Sequence, residues 1–298
     1  MRLLKITLIA FSCTSMAWAQ SPEKALAKVS YSFSHIRDTT NKANPYTENM
    51  ALLIGKNASV YASYDKLTQG IERKRQIEEQ IKNTAPGEPI RINVGKVKPT
   101  TAIELYSFFK ENKLFTRELI INIYLTEEPL PKISWRITKD TASFSGIACK
   151  KATAHFKGRD WIAWFAPELP FQSGPWKLNG LPGLIIQAYD DKKEVQFLFA
   201  GFENIKEETA AKPILDPENT VTVSTSALAG NEIKLPADAI RTSIAELNKL
   251  KEARAKDPIG FAKAQMTNSG VTISSTSKLA EIASKNALNN PIELPEHN

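Results

Sequence analysis

The chain has 298 residues, 42% of them hydrophobic and 24% charged, a balance that fills a core and excludes wholesale disorder. Its formal net charge is +7, but the basic residues are spread along the chain without interleaved aromatics, which excludes a nucleic-acid-binding patch. The length admits one large β-rich domain or two smaller ones.

The opening residues, MRLLKITLIAFSCTSMAWAQ, have the layout of a secretory signal peptide. Arg2 and Lys5 form the positive region, Leu3 to Phe11 a short apolar region, and Ala17-Trp18-Ala19 a small-x-small cleavage site. Cleavage after Ala19 is expected, leaving a periplasmic, secreted or cell-surface protein. An alternative lipid-anchored start at Cys13 fits poorly, because bulky Phe11 stands close before the cysteine. No later run approaches the roughly 20 apolar residues of a membrane-spanning helix. Loss of residues 1–19 takes Lys+Arg from 39 to 37 against 32 Asp+Glu, and the charge from +7 to +5. Cys149 is then the remaining cysteine, which excludes an intrachain disulfide.

Val29, Tyr31 and Phe33 alternate with serines, the period of a half-buried strand. Asp38 to Pro45 is polar and reads as a loop, followed by strands at Met50–Ile54 and Ser59–Tyr64. From Asp65 the apolar spacing becomes helical, and residues 65–83 are predicted as an amphipathic helix. Arg73-Lys74-Arg75 ahead of Glu78-Glu79 suggests i,i+4 pairs on its solvated face. Residues 86–100 read as an irregular connection or an edge strand. Ile103–Phe109 is ambiguous between helix and strand, whereas Glu118–Leu125 is predicted as one unbroken strand from its β-branched and aromatic content. Pro129 and Pro131 make a turn. Ile133, Trp135 and Ile137 restart the alternation, with Trp135 on a core face, and Thr138 to Thr141 read as a hairpin region.

The densest stretch runs from Gly146 to Tyr189. Ile147–Phe156 and Trp161–Phe165 form an antiparallel hairpin about Lys157-Gly158. A Pro/Gly cluster follows, and Leu184–Tyr189 and Val195–Phe202 make another hairpin about Asp190–Lys193. Gly174, Pro175, Gly180, Pro182 and Gly183 supply the free and fixed φ values of a tight structural corner, with a binding loop as the alternative. Beyond Lys206, Thr220–Thr225 is a possible strand and Ala237–Ala255 a helix ended by Pro258. The Ser/Asn-rich end reads as a partly ordered tail.

The chemistry-bearing residues are sparse. His35, His155 and His297 fall in no zinc-ligand spacing, and no Gly-rich loop precedes a helix to cradle phosphate. No metal or cofactor is therefore expected. Cys149 and His155 share a strand face, but six residues at a strand rise put them about 20 Å apart. Arg159 is expected to pair with the adjacent Asp160. Trp161 and Trp164 point to opposite faces, and one of them with Phe171, Trp176 and Arg159 makes a candidate ligand- or partner-binding surface.

The array Cys149-x-x-Ala152, Gly158-Arg159, Trp161-x-x-Trp164-Phe165-x-Pro167, Pro170, Gly174-Pro175 and Gly180-Leu-Pro-Gly-Leu-Ile185 resembles the GLPGLI family, also called the Porph_ging family, of exported Bacteroidota proteins. The Trp135-Arg136-Ile137 and Val195–Phe202 stretches and the tail Asn290-Pro291-Ile292-Glu293-Leu294 resemble the same pattern. The resemblance implies an envelope-associated protein and brings no catalytic residues with it.

The expected architecture is α+β: a twisted, mostly antiparallel, half-barrel-like sheet of about seven to nine strands with a few helices packed on it. Residues 1–19 are the leader, 20–206 the β-rich domain, and 207–298 a helical extension and tail packed on the same domain. The expected function is non-enzymatic binding of an apolar or peptide-like ligand, or of an envelope protein, on a concave sheet. The alternatives are a thiol or hydrolytic enzyme using Cys149 and a structural or assembly factor of the envelope.

Overall fold

A computed structural model describes residues 21–84, 98–205, 226–261, 264 and 289–296. The expected signal peptide and cleavage site, most of the expected 86–100 connection, the possible strand at 220–225 and the start of the expected tail lie outside the described residues. The strands are β1 (Glu23–Lys24), β2 (Ala27–His35), β3 (Tyr46–Ile54), β4 (Ala58–Ser63), β5 (Ile103–Phe108), β6 (Lys113–Leu119), β7 (Ile123–Pro129) and β8 (Arg136–Phe144). They continue as β9 (Ile147–Phe156), β10 (Arg159–Ala166), β11 (Leu184–Asp190), β12 (Val195–Asn204), β13 (Glu232–Ile233) and β14 (Ile240–Arg241). Helix α1 (Tyr64–Asn83) follows β4, and helix α2 (Ile244–Lys256) follows β14.

Twelve strands form one sheet in the order β14-β7-β6-β5-β4-β3-β2-β12-β11-β10-β9-β8, and β1 pairs with β13 apart from it. All pairings are antiparallel except the short β14–β7 contact. Two meanders, β2–β7 and β8–β12, are thus joined where β12 lies against β2. Neighbouring strands sit ~4.8 Å apart, so β7 and β8 would be on the order of 50 Å apart in a flat sheet. Residues 130–135 connect them, and that length spans at most about 25 Å. The sheet must therefore twist and curl.

The count of seven to nine strands is corrected to twelve, and the predicted Glu118–Leu125 strand is part of the reason. It is two strands: a tight turn at Ile120–Asn122, in which Ile120 N–H donates to Asn122 O at 3.1 Å, divides β6 from β7. Strand propensity concealed a turn that carries neither Gly nor Pro. Ile103–Phe108 resolves as a strand. The predicted hairpin at 138–141 is also corrected. β8 runs through it with only a shift of register, and the chain turns at Ser145-Gly146, whose φ values of 49° and 83° suit a two-residue hairpin. Trp135 precedes β8, and its indole N–H donates to Asn179 O at 2.8 Å.

Helix α1 begins where predicted, because the Ser63 side chain accepts from Lys66 N–H. Its solvated face carries the Arg75–Glu79 pair, whereas Lys74, expected on that face, is buried and reaches Glu78 at 3.5 Å. α2 starts later than the periodicity implied, at Ile244. Ser243 and Glu246 form a capping box there, and Ile240–Arg241 are occupied as β14 against β7.

Strand alternation sorts the core onto two faces. One face carries Tyr31, Phe33, Leu52, Tyr61, Leu105, Trp161, Phe165 and Phe197, packed against Leu178 and Leu181 from the segment between β10 and β11. The other carries Leu53, Val60, Tyr106, Phe108, Phe115 and Leu125 under Ala25, Ile233 and Leu235. β3–β5 are apolar on both sides for that reason. α2 packs Leu247 on Ile120 and Tyr124.

Candidate functional site

The candidate aromatics divide between core and surface. Trp161, 1% exposed, lies in the core, its ring 6.1 Å from Phe197 and 5.5 Å from Trp176. Its indole N–H donates to Phe156 O at 3.0 Å. Trp164, three residues on, is half-buried and meets Phe144 edge-on at 5.8 Å. Phe171 and Trp176 are half-buried against the main core. The structure therefore brings Trp161 and Trp176 together and sets Trp164 apart from them.

The corner occupies residues 167–183. Its Gly183, at φ 149°, comes so close to β10 that an added Cβ would stand 2.2 Å from Ala166 O. That approach lets Leu184 N–H reach Leu169 O at 2.9 Å and Ile185 N–H reach Ser173 O at 3.0 Å, and β11 starts there. Tyr31 pins the same point by donating to Ile185 O at 2.7 Å.

Between the corner and the ends of β4 and β5 lies a slot. Ser59, Ser107, Phe109, Leu114 and Leu130 line one side, and Ser173, Trp176, Lys177 and Leu178 the other. Its empty volume is about 220 Å³, counting the open mouth. Two local features stand out. Trp176 holds φ 55°, a left-handed conformation that costs a bulky residue of order 1–3 kcal/mol. Ser173 is 1% exposed, and its hydroxyl has no hydrogen-bond partner. Lys177 joins Glu128 at 2.8 Å and Glu293 at 3.0 Å at the rim. Burial alone would lower its pKa, and the two carboxylates raise it beyond that.

Arg159 does not pair with Asp160, which corrects the expectation from sequence. Adjacent strand residues point to opposite faces. Arg159 is buried and reaches Asp190 on β11 at 2.6 Å, while Asp160 is exposed and takes His155 Nδ1 at 2.8 Å. The remaining guanidinium donors go to the C-terminal segment: Nε to Ile292 O at 2.9 Å, and Nη2 to Asn290 Oδ1 at 2.6 Å and Pro291 O at 2.7 Å. His35 Nε2 lies 2.8 Å from Asn290 O, which assigns that nitrogen the proton. Burial, then the charge of Arg37, pushes its pKa down to about 4. His155 is exposed and goes the other way, raised by its hydrogen bonds to Asp160 and then Glu296.

Cys149 is 1% exposed, with its Sγ 3.5 Å from Ile147 O and its pKa pushed up to about 11 by burial. A nucleophile needs the thiolate, and this position disfavours it. No cluster of three or more His, Cys, Asp or Glu among the described residues is arranged to hold a metal ion.

Sequence reasoning missed the orphaned Ser173 hydroxyl and the buried Arg159–Asp190–Asn290 network. The tail motif Asn290-Pro291-Ile292-Glu293-Leu294 was the one signal for the second; for the first there was none.

Neither a family model nor a curated protein matches the chain. Among solved structures it is similar to PNGF-II in a P21 crystal form, at TM-score 0.47 and 13% identity, and in a C2 form, at TM-score 0.46 and 14% identity. Each match covers 76% of this chain and 32% of the other, so the chain spans about a third of the length of those structures, a remote likeness.

Proposed function

We propose that this is an exported, non-enzymatic binding protein of GLPGLI type. It is built as a half-barrel, and the slot beside Trp176 receives a small group with an apolar body and a polar tip, presented by a ligand or a partner protein. The observation that carries this reading is the Ser173 hydroxyl, buried without a partner in the wall of that slot. An unmet buried hydroxyl is destabilising by roughly 1–3 kcal/mol, and an incoming polar atom relieves it. Trp176 supports the reading as well, since backbone strain held beside a cleft is a mark of binding sites. The enclosed part of the slot admits about one water-sized group, so the body of the occupant rests at the mouth on Trp176 and Phe109. The layout of residues 1–19 supports export, and the short β7–β8 connection supports the half-barrel.

The test is native mass spectrometry of the full chain purified without denaturation from the cells that make it. Wild type is expected to carry a bound mass, and Trp176→Ala and Ser173→Val to have lost it. A wild-type protein with no adduct, whose tryptophan fluorescence is also unmoved by envelope extract, sinks the reading.

A further inference from the structure

The C-terminal residues 289–296 lie against the main sheet as an extended peptide lies in a receptor. Asn290 is read at every polar atom. Its N–H donates to Arg37 O at 3.2 Å and its carbonyl accepts from His35 at 2.8 Å. Its side-chain oxygen accepts from Arg159, and its amide nitrogen donates to Ile36 O at 2.7 Å and Glu194 at 3.1 Å. Pro291 and Ile292 are fixed through their carbonyls by the same arginine, and Ile292 packs against the core. Glu293 meets Lys157 at 3.2 Å and Lys177 at 3.0 Å. Leu294 N–H donates to Lys157 O at 3.0 Å. Gly158 is needed below it, because a Cβ there would stand 2.7 Å from Leu294 O. Glu296 ends the contact on Gly158 N–H at 3.1 Å and His155 at 2.9 Å.

Recognition this specific requires only that the peptide arrive, from whichever chain. We propose that the groove around Arg159 is a peptide-recognition site for Asn-Pro-Ile-Glu-Leu, filled in cis by this chain's own 290–294 and in trans by the same segment of a second copy. Residues 265–288 separate Ala264 from Asn289, and chain length alone sets an upper limit on the order of 80 Å for that separation, which does not forbid reaching a neighbour. The cis segment belongs to the same chain and its docking does not depend on protein concentration, so the closed single copy dominates when the protein is dilute. Exchange becomes visible when the cis contact is broken. This inference concerns a different site from the slot beside Trp176.

Two full-length variants test it. Asn290→Ala keeps the groove and spoils the segment; Arg159→Met keeps the segment and spoils the groove. Each alone is expected to run as a single copy. Their mixture is expected to give a 1:1 heteromer by native mass spectrometry, with one segment seated in the other copy's groove. A mixture that stays monomeric, with both variants folded by circular dichroism, overturns the proposal. Should Arg159→Met fail to fold, a peptide titration of Asn290→Ala decides. Synthetic Asn-Asn-Pro-Ile-Glu-Leu-Pro-Glu is expected to bind and raise its melting temperature. The same peptide with aspartate at its second position sets a carboxylate against Glu194 and Ile36 O, and is expected to bind at least about tenfold more weakly. Equal binding of the two peptides, or none of either, overturns the proposal.

Discussion

Among the described residues, two buried arginine–carboxylate pairs hold different things together. Arg117 on β6 meets Glu104 on β5 at 3.2 Å, with both side chains 2% exposed, and the two are direct cross-strand partners in one hairpin. Arg159 on β10 meets Asp190 on β11 at 2.6 Å with equal burial, yet most of its donors serve residues 290–292 from the other end of the chain. Removing two charges from water is costly in either place, and good hydrogen-bond geometry repays it. The first pair ties two neighbouring strands of one hairpin, and Glu104 also accepts from Tyr106 O–H at 3.0 Å. The second is a junction whose loss frees a separate segment.

That contrast predicts effects of different size. Arg159→Met strands the Asp190 carboxylate in the core and removes three donors from the C-terminal segment, so it is expected to cost about 3–5 kcal/mol. Urea unfolding followed by tryptophan fluorescence gives the loss, and limited proteolysis should cut residues 289–296 free. Double replacement then sharpens the difference. Glu104→Leu with Arg117→Met should return to within about 2 kcal/mol of wild type, since both charges leave together and the acceptor lost to Tyr106 O–H is the main remaining cost. Arg159→Met with Asp190→Leu should stay at least about 3 kcal/mol down, because Asn290 Oδ1 and Val195 N–H still lose partners. Equal recovery of both doubles would erase the distinction.

The junction should also respond to acid, through His35. His35 has its pKa lowered to about 4, so its contribution is fully present above its ordinary value near 6.5 and is lost as pH falls toward 4. In that window the unfolded chain takes up a proton that the folded chain refuses, worth about 3 kcal/mol across the whole range. His35→Gln should flatten that part of the stability–pH curve. His155 has the opposite sign. Its pKa is raised, so its contribution is present below about 6.5 and lost as pH climbs through the folded value. Glu296, lowered by the same contact, contributes above its ordinary value near 4.5. His155→Gln should therefore show a small loss between those limits and none at high pH, as a difference in melting temperature.

Much of the fold was legible where turn chemistry and alternation agree. Lys157-Gly158 and the polar run Asp190–Lys193 announced their hairpins, and the helical spacing from Asp65 announced α1. The β6–β7 turn was not legible, because Ile120 and Ile121 carry the propensity of a strand. Arg159 was misassigned to Asp160 by proximity in sequence, although alternation already placed the two on opposite faces. The docking of Asn290 on Ile36 leaves no local pattern, since it links positions 254 residues apart. Ser173 is legible only in three dimensions, because an orphaned hydroxyl is defined by what surrounds it.

The docking of residues 289–296 also sets an order of events. A ribosome delivers the chain from its N-terminus, so the residues of β2, β10 and β11 are made well before the segment that satisfies Arg159. Until Asn290 arrives, that guanidinium faces water or an incomplete set of acceptors, and the groove stands open. Closure of a loop that takes in nearly the whole chain comes last, and contacts of such sequence separation make folding slow. The docking of residues 289–296 thus decides when the β8–β12 half of the sheet reaches its finished state.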